Sequence, residues 1–226
     1  MRRFTQHTEK WGTFLDVKIN AAEVLRRDLS RQPPKGVVLL GSVTDAYQNA
    51  ERKYRITRSV LEVLLEHQFP ISILTKSDLV LRDINLLKRF QSCDVGLTIT
   101  TLNEEARRRF EPASVSSARR LRCLRILHDN NIRTYAFVGP ILPLFTDLRA
   151  IYQAVHGIAD TLWAESLNTR CGNWNDIGQV LRCFCSNIET DFTRMAKSRE
   201  YWKNIGEELQ GLSAEFGIPL VGYYQH

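Results

Sequence analysis

The stretch Val37–Glu51, VVLLGSVTDAYQNAE, passes abruptly from an unbroken apolar run into Gly, Ser, Thr, Asp and Tyr. Two further stretches repeat the change: ISILTKSD at Ile71–Asp78 and VGLTITTLNEE at Val95–Glu105. Short β-branched runs that end in hydroxyl, carboxylate or ammonium groups are the pattern of a parallel α/β sheet. Such strands are buried on both faces, and the ligand site gathers at their carboxyl ends. The three stretches therefore predict both the fold class and the place of a site.

The 226 residues, 43% of them apolar, suffice for one α/β domain with a sizeable core. No run approaches the roughly 18 to 20 apolar residues of a membrane span, and MRRFTQHTEKWGTF lacks the apolar centre of a secretory signal. A cytoplasmic protein with no membrane partner is expected. The charge of +6 arises from 31 Lys and Arg against 25 acids. Arg107–Arg109, Arg119, Arg120, Arg122 and Arg125 concentrate part of it, a modest balance beside that of a dedicated nucleic-acid binder. The five cysteines, Cys93, Cys123, Cys171, Cys183 and Cys185, lack the paired spacings of a disulfide or zinc framework and read as separate reduced thiols.

Along the chain, helical and strand patterns alternate. Asn20–Leu29 is an amphipathic helix with Asn20 as its cap, and QPPKG breaks the chain before the strand Val37–Leu40. The pairs that follow are helix Ile56–His67 with strand Ile71–Leu74, helix Val80–Phe90 with strand Val95–Ile99, and helix Ser117–Asn130 with strand Thr134–Val138. Gly139–Pro143 reads as a turn that stops the last of these strands. Helix Leu148–Gly157 and strand Asp160–Ala164 come next, then helices at Asn175–Phe192 and Ala196–Phe216 and an apolar piece at Ile218–Tyr223. Neither GxGxxG nor GxxxxGK[ST] occurs, which favours a barrel or partial barrel over a dinucleotide-binding sheet or a P-loop.

GSVTDAYQNAE, SILTKSDLVLRD, LTITTLNEEARRRFEPASVSSARRL and VGPILP, in this order and spacing, resemble the radical S-adenosylmethionine proteins related to spore photoproduct lyase, often called DNA repair photolyases. The resemblance covers roughly Phe4 to Pro143. It implies a partial (βα)6 TIM-like barrel over residues 1–170 with a helical C-terminal extension over 171–226. It also implies S-adenosylmethionine and a [4Fe-4S] cluster at the mouth, a radical cleavage of the former, and a reductant such as flavodoxin or ferredoxin. An unknown, possibly nucleic-acid, substrate completes the expectation. The family's CxxxCxxC cluster motif occurs nowhere in this chain, so a fragment without the first strand and cluster loop is expected, or a protein that has lost its cluster. A cluster-free module that binds S-adenosylmethionine or nucleic acid without catalysis is the alternative.

Carried over residue by residue, the resemblance gives Thr44 and Asp45 to the amino acid end of S-adenosylmethionine, Lys76 to its carboxylate, and Thr98 to the ribose or nearby polar groups. Thr98 and Thr100 share one face at period two. Glu51 and Arg52 are candidates for an ion-pair network at the mouth. Arg107–Arg109 with Glu111, and Arg119 with Arg120, are candidates for phosphate neutralisation or for a solvated helix face. His67, His128 and His156 fall at helix ends, where capping is the simpler use. The family's hydrogen-donating cysteine lies two positions before the residue matching Thr44. Ser42 stands there instead, and its strong O–H bond argues against repair of the spore thymine dimer.

Overall fold

The computed structural model describes residues 7–9, 12–31, 36–170, 172–184 and 187–226. Cys171, Cys185 and most of the QPPKG breaker (residues 32–35) lie outside the described residues. Six strands form a single curled, half-barrel sheet in the order β1-β2-β3-β4-β5-β6, every neighbouring pair parallel. They are β1 Val38–Leu40, β2 Ile71–Thr75, β3 Cys93–Thr98, β4 Arg133–Ile141, β5 Thr161–Ser166 and β6 Leu220–Tyr224. Sequential order in an all-parallel sheet requires a crossover between each pair. The connecting helices are α2 Glu51–Tyr54, α3 Ile56–Glu66, α4 Ile84–Leu87, α5 Glu104–Phe110, α6 Ser117–Asp129, α7 Leu148–Val155, α8 Trp174–Arg182, α9 Ile188–Ala196 and α10 Arg199–Phe216, with α1 Ala21–Leu29 before the first strand.

The period-two alternation assigns the two faces of the sheet. Ile71, Ile73, Val95, Leu97, Ala136, Val138, Leu162 and Ala164 are buried in one core with Leu61, Leu64, Leu124, Leu127, Ile151 and Tyr152 of the surrounding helices. The inner face carries Ser72, Gly96, Tyr135, Phe137 and Trp163. Gly96 lies between Leu74 and Tyr135 in register, and a Cβ there would sit 2.0 Å from the Tyr135 ring. The ring crosses that bare backbone, so that its hydroxyl donates to the Ile73 carbonyl at 3.0 Å.

Five details depart from the sequence reading. The helix expected over Val80–Phe90 is a 3₁₀ segment, Asp78–Asp83, followed by the short α4. Ser77 caps it by accepting from Leu79 N at 3.2 Å, and Asp83 is drawn into a buried ion network described below. The expected turn at Gly139–Pro143 does not end β4. The strand runs on to Ile141, which pairs with Ser166 after a shift in register between Val138 and Ile141. The pattern Asn175–Phe192 divides into α8 and α9, and Asn20 makes no side-chain cap bond to α1. The apolar piece at Ile218–Tyr223 supplies β6, which α10 returns to pair with β5 in the same sheet. Among the described residues no helix is long and apolar enough to cross a membrane.

Gly41, directly after β1, has φ +100°, and a Cβ there would sit 2.1 Å from the Leu74 carbonyl oxygen. The atoms it would meet are all Leu74 main chain and cannot swing aside. Gly41→Ala is expected to cost about 3 kcal/mol in denaturant unfolding. Gly211→Ala, inside α10 with open space around it, is expected to stabilise by about 0.5–1 kcal/mol.

Candidate functional site

The carboxyl ends of the strands surround a cavity of about 760 Å³. Its walls include Asp45, Tyr47, Gln48, Asn49 and Arg52 after β1, Lys76 and Ser77 after β2, and Thr100 and Glu111 after β3. Pro140 of β4, Glu165 and Ser166 of β5, and His226 after β6 complete the ring. All six strands thus contribute to one mouth.

Asp45 ties β1 to β2. Its Oδ1 accepts from Tyr47 N at 2.8 Å and from the Thr75 hydroxyl at 2.6 Å, and its Oδ2 accepts from Lys76 N at 2.7 Å. An ionised carboxylate offers about four lone-pair sites, so one acceptor position on Oδ2 remains. Lys76, held beside it, directs Nζ to Glu111 Oε1 at 3.6 Å.

Glu111 and Arg120 form the most buried ion pair beside the cavity. Arg120 is 0% exposed, and its Nη2 donates to Glu111 Oε2 and Ser114 Oγ, each at 2.5 Å. Nη1 donates to the Thr98 carbonyl at 2.8 Å and Nε to the Val115 carbonyl at 3.1 Å. The Thr100 hydroxyl donates to Glu111 Oε1 at 2.8 Å. Burial by itself pushes the Glu111 carboxyl up, but the charges of Lys76 and Arg120 and the hydrogen bonds from Arg120 and Thr100 outweigh it and hold the group below its ordinary value.

A second network lies behind the loop 45–52. Asp83, 0% exposed, accepts from Arg58 Nη1 at 2.6 Å, Arg82 Nη2 at 2.7 Å and the Tyr47 hydroxyl at 3.2 Å. Arg82 Nη2 also donates to Glu51 Oε1 at 2.8 Å, while Glu51 Oε2 accepts from Thr57 N at 2.9 Å. Burial pushes the Tyr47 hydroxyl well up, reinforced by the charge of Asp83. The phenol stays protonated and its ring forms part of the cavity wall.

The residues expected from the sequence are distributed unequally. Asp45 and Lys76 line the cavity together, as does Arg52. Thr44 is exposed outside the lining, and Thr98 is buried at the end of β3 with its carbonyl on Arg120, while Thr100 takes the place in the wall. Glu51 does enter an ion network, behind the wall. Arg107 and Arg120 are buried: Arg107 donates to Glu104 and to the Ser114 carbonyl, so neither forms a phosphate-facing surface. Arg109 pairs with Glu105 and Arg119 with Asp78. His67 and His156 cap α3 and α7, and His128 lies in the last turn of α6. Sequence reasoning missed the Asp83 network, the role of Glu111, and Glu165 with His226. An acid in a helical-looking pattern gave no sign that it was buried, and β6 was not read as a strand.

No protein-family model matches the sequence. The uncharacterized protein MJ0683 of Methanocaldococcus jannaschii is 36% identical over 161 residues, which are 71% of this chain and 60% of that protein. The uncharacterized protein Rv2578c of Mycobacterium tuberculosis is 31% identical over 141 residues, 61% of this chain and 42% of that protein. The chain thus spans about half the length of the curated relatives it matches. Spore photoproduct lyase complexed with dinucleoside spore photoproduct superposes with a TM-score of 0.62 at 13% identity, over 90% of this chain and 64% of that one. Streptococcus suis SuiB bound to S-adenosylmethionine gives 0.58 at 12%, over 94% and 43%. This chain shares their fold.

The buried acids make stability depend on pH. Glu111 and Asp83, both held below their ordinary values of 4.5 and 3.8, contribute stability that is fully present above those values and is lost as pH falls through the lower folded ones. Urea unfolding should therefore show stability falling below about pH 4.5, with a shallower fall in Glu111→Gln. Arg120→Met, which leaves Glu111 buried without its guanidinium, is expected to lose about 3 kcal/mol near neutral pH.

Proposed function

We propose that this chain is an S-adenosylmethionine-binding half-barrel of the radical S-adenosylmethionine type. The observation that carries the reading is that Lys76, whose main-chain N–H is held by Asp45 Oδ2, and Asp45, with one acceptor site spare, line the same cavity. Lys76 would receive the methionine carboxylate as a compact cation, and Asp45 the ammonium. Thr100 is the threonine of the wall, whereas Thr44, expected at the amino acid end, and Thr98, expected at the ribose, lie outside the lining. The shared fold with an S-adenosylmethionine-bound SuiB supports the choice of ligand. Bound S-adenosylmethionine supplies a sulfonium and, in radical enzymes, the precursor of a 5′-deoxyadenosyl radical. This chain's own part is to orient it: Arg120 fixes Glu111, Glu111 restrains Lys76, and the Asp83 network fixes the opposite wall.

A [4Fe-4S] cluster does not fit the described residues. Among them no group of three His, Cys, Asp or Glu side chains is placed to hold a metal ion. Burial pushes the Cys93 and Cys123 thiols up to about 12, which disfavours the thiolate a cluster needs. Radical cleavage, with a flavodoxin or ferredoxin as reductant, is proposed only for a polypeptide that supplies such thiolates. The same misfit favours a second reading, a cluster-free S-adenosylmethionine-binding module. The substrate is open in class: the fold neighbours include a peptide complex and a dinucleoside complex.

Calorimetric titration of the iron-free chain with S-adenosylmethionine is expected to show micromolar binding, weakened about tenfold or more in Lys76→Met. Absence of binding at millimolar ligand, or unchanged affinity in the variant, contradicts the assignment.

A further inference from the structure

Across the cavity from Lys76, the ends of β5 and β6 hold a histidine and a glutamate that neither the resemblance nor the preceding reading uses. Glu165 Oε1 lies 2.8 Å from His226 Nε2, and the His226 main-chain N donates to Ser166 Oγ at 3.0 Å. The residue is thus anchored at two points, one on the ring and one on the main chain. Both side chains line the cavity, at about one-third exposure each. Their position follows from the sheet. Glu165 pairs in register with Tyr224, whose ring stacks on Trp163 at 5.7 Å and 5°, and the chain then turns His226 back over the mouth.

The carboxylates of the cavity all have partners. Asp45 accepts from Tyr47, Thr75 and Lys76, Glu111 from Arg120 and Thr100, and Glu165 faces His226. An ionised carboxylate only accepts, so the Glu165 contact fixes the proton of a neutral His226 ring on Nε2. Nδ1 then carries a lone pair, and among the described residues it has no protein partner. An oriented acceptor in a cavity wall is a ligand contact.

We propose that Glu165 and His226 form a second ligand-binding pole of the cavity, in which Glu165 positions the ring so that His226 Nδ1 accepts a hydrogen bond from an N–H or O–H of the bound molecule. The inference rests on the reading that this cavity takes S-adenosylmethionine, whose hydroxyls and exocyclic amine are donors of that kind. No proton is transferred in this step. Glu165 is a positioning residue, and His226 is the contact.

The test uses the full chain with 15N-labelled histidine in mildly alkaline buffer, with S-adenosylmethionine as the probe. The native chain and Glu165→Gln, which keeps an acceptor, should show His226 in the Nε2–H form, and Glu165→Leu should lose that preference. Addition of the probe should move the Nδ1 resonance of His226 and leave those of His67, His128 and His156 in place. His226→Ala should bind the probe about three- to tenfold more weakly, the range of one lost hydrogen bond, with an unchanged melting temperature. Mixed tautomers in the native chain, or a bound probe that leaves both Nδ1 and the His226→Ala affinity unaltered, would overturn the proposal. A native chain that binds no probe refutes the ligand reading instead. The pair is then decided by the tautomer, which sustains it only if the Nε2–H form depends on an acceptor at position 165.

Discussion

A single buried guanidinium organises the mouth of this half-barrel. Arg120 reaches from α6 to the last residue of β3 through the Thr98 carbonyl, to the loop after α5 through Val115 and Ser114, and to the carboxylate of Glu111. Burying a charge is costly, and it is tolerated here because four acceptors surround the planar fork and one of them is an anion. The pair supports what touches the cavity. Glu111, once fixed, has one oxygen left for Thr100 and for the ammonium of Lys76. Loss of the guanidinium would therefore release the strand end, the loop and the lysine together.

The opposite wall is built on the same principle with different parts. Asp83 and Glu51 are buried acids held by Arg58 and Arg82, and Tyr47 connects them to the cavity through its hydroxyl. Asp45 bridges the two walls, because its carboxylate bonds the loop after β1 and the end of β2 at once. A ligand that enters finds side chains whose rotamers are already fixed by second contacts, which reduces the ordering cost of binding.

The sheet was legible in the sequence for a physical reason. Strands buried on both faces must be apolar throughout, so ISIL and VGLTI stand out; VVLL reads the same way but forms the edge strand, with Val37 and Leu39 exposed, and the polar ends fall at the carboxyl edge where Asp45 and Lys76 are found. The β4 extension was hidden because Gly139 and Pro140 are turn residues in isolation, and only pairing with β5 shows that the strand continues. Asp83 looked like one polar position on an amphipathic helix, and Arg120 like one of several surface arginines. Each of these buried charges has partners 9 to 36 residues away, and no local pattern encodes that distance. Thr98 and Thr100 illustrate the limit at closest range: period two placed them on one face, but β3 ends at Thr98 and only Thr100, beyond it, is in the wall.

The central claim is that Lys76 and Asp45 hold the amino acid end of S-adenosylmethionine at the carboxyl edge of the sheet. A crystal structure of the chain grown with S-adenosylmethionine tests it most directly. The account predicts a ligand carboxylate on Lys76 Nζ and a ligand ammonium on Asp45 Oδ2, with the Glu111–Arg120 pair undisturbed. Density for the ligand elsewhere, or a ligand in the cavity that leaves Lys76 on Glu111 alone, would contradict it.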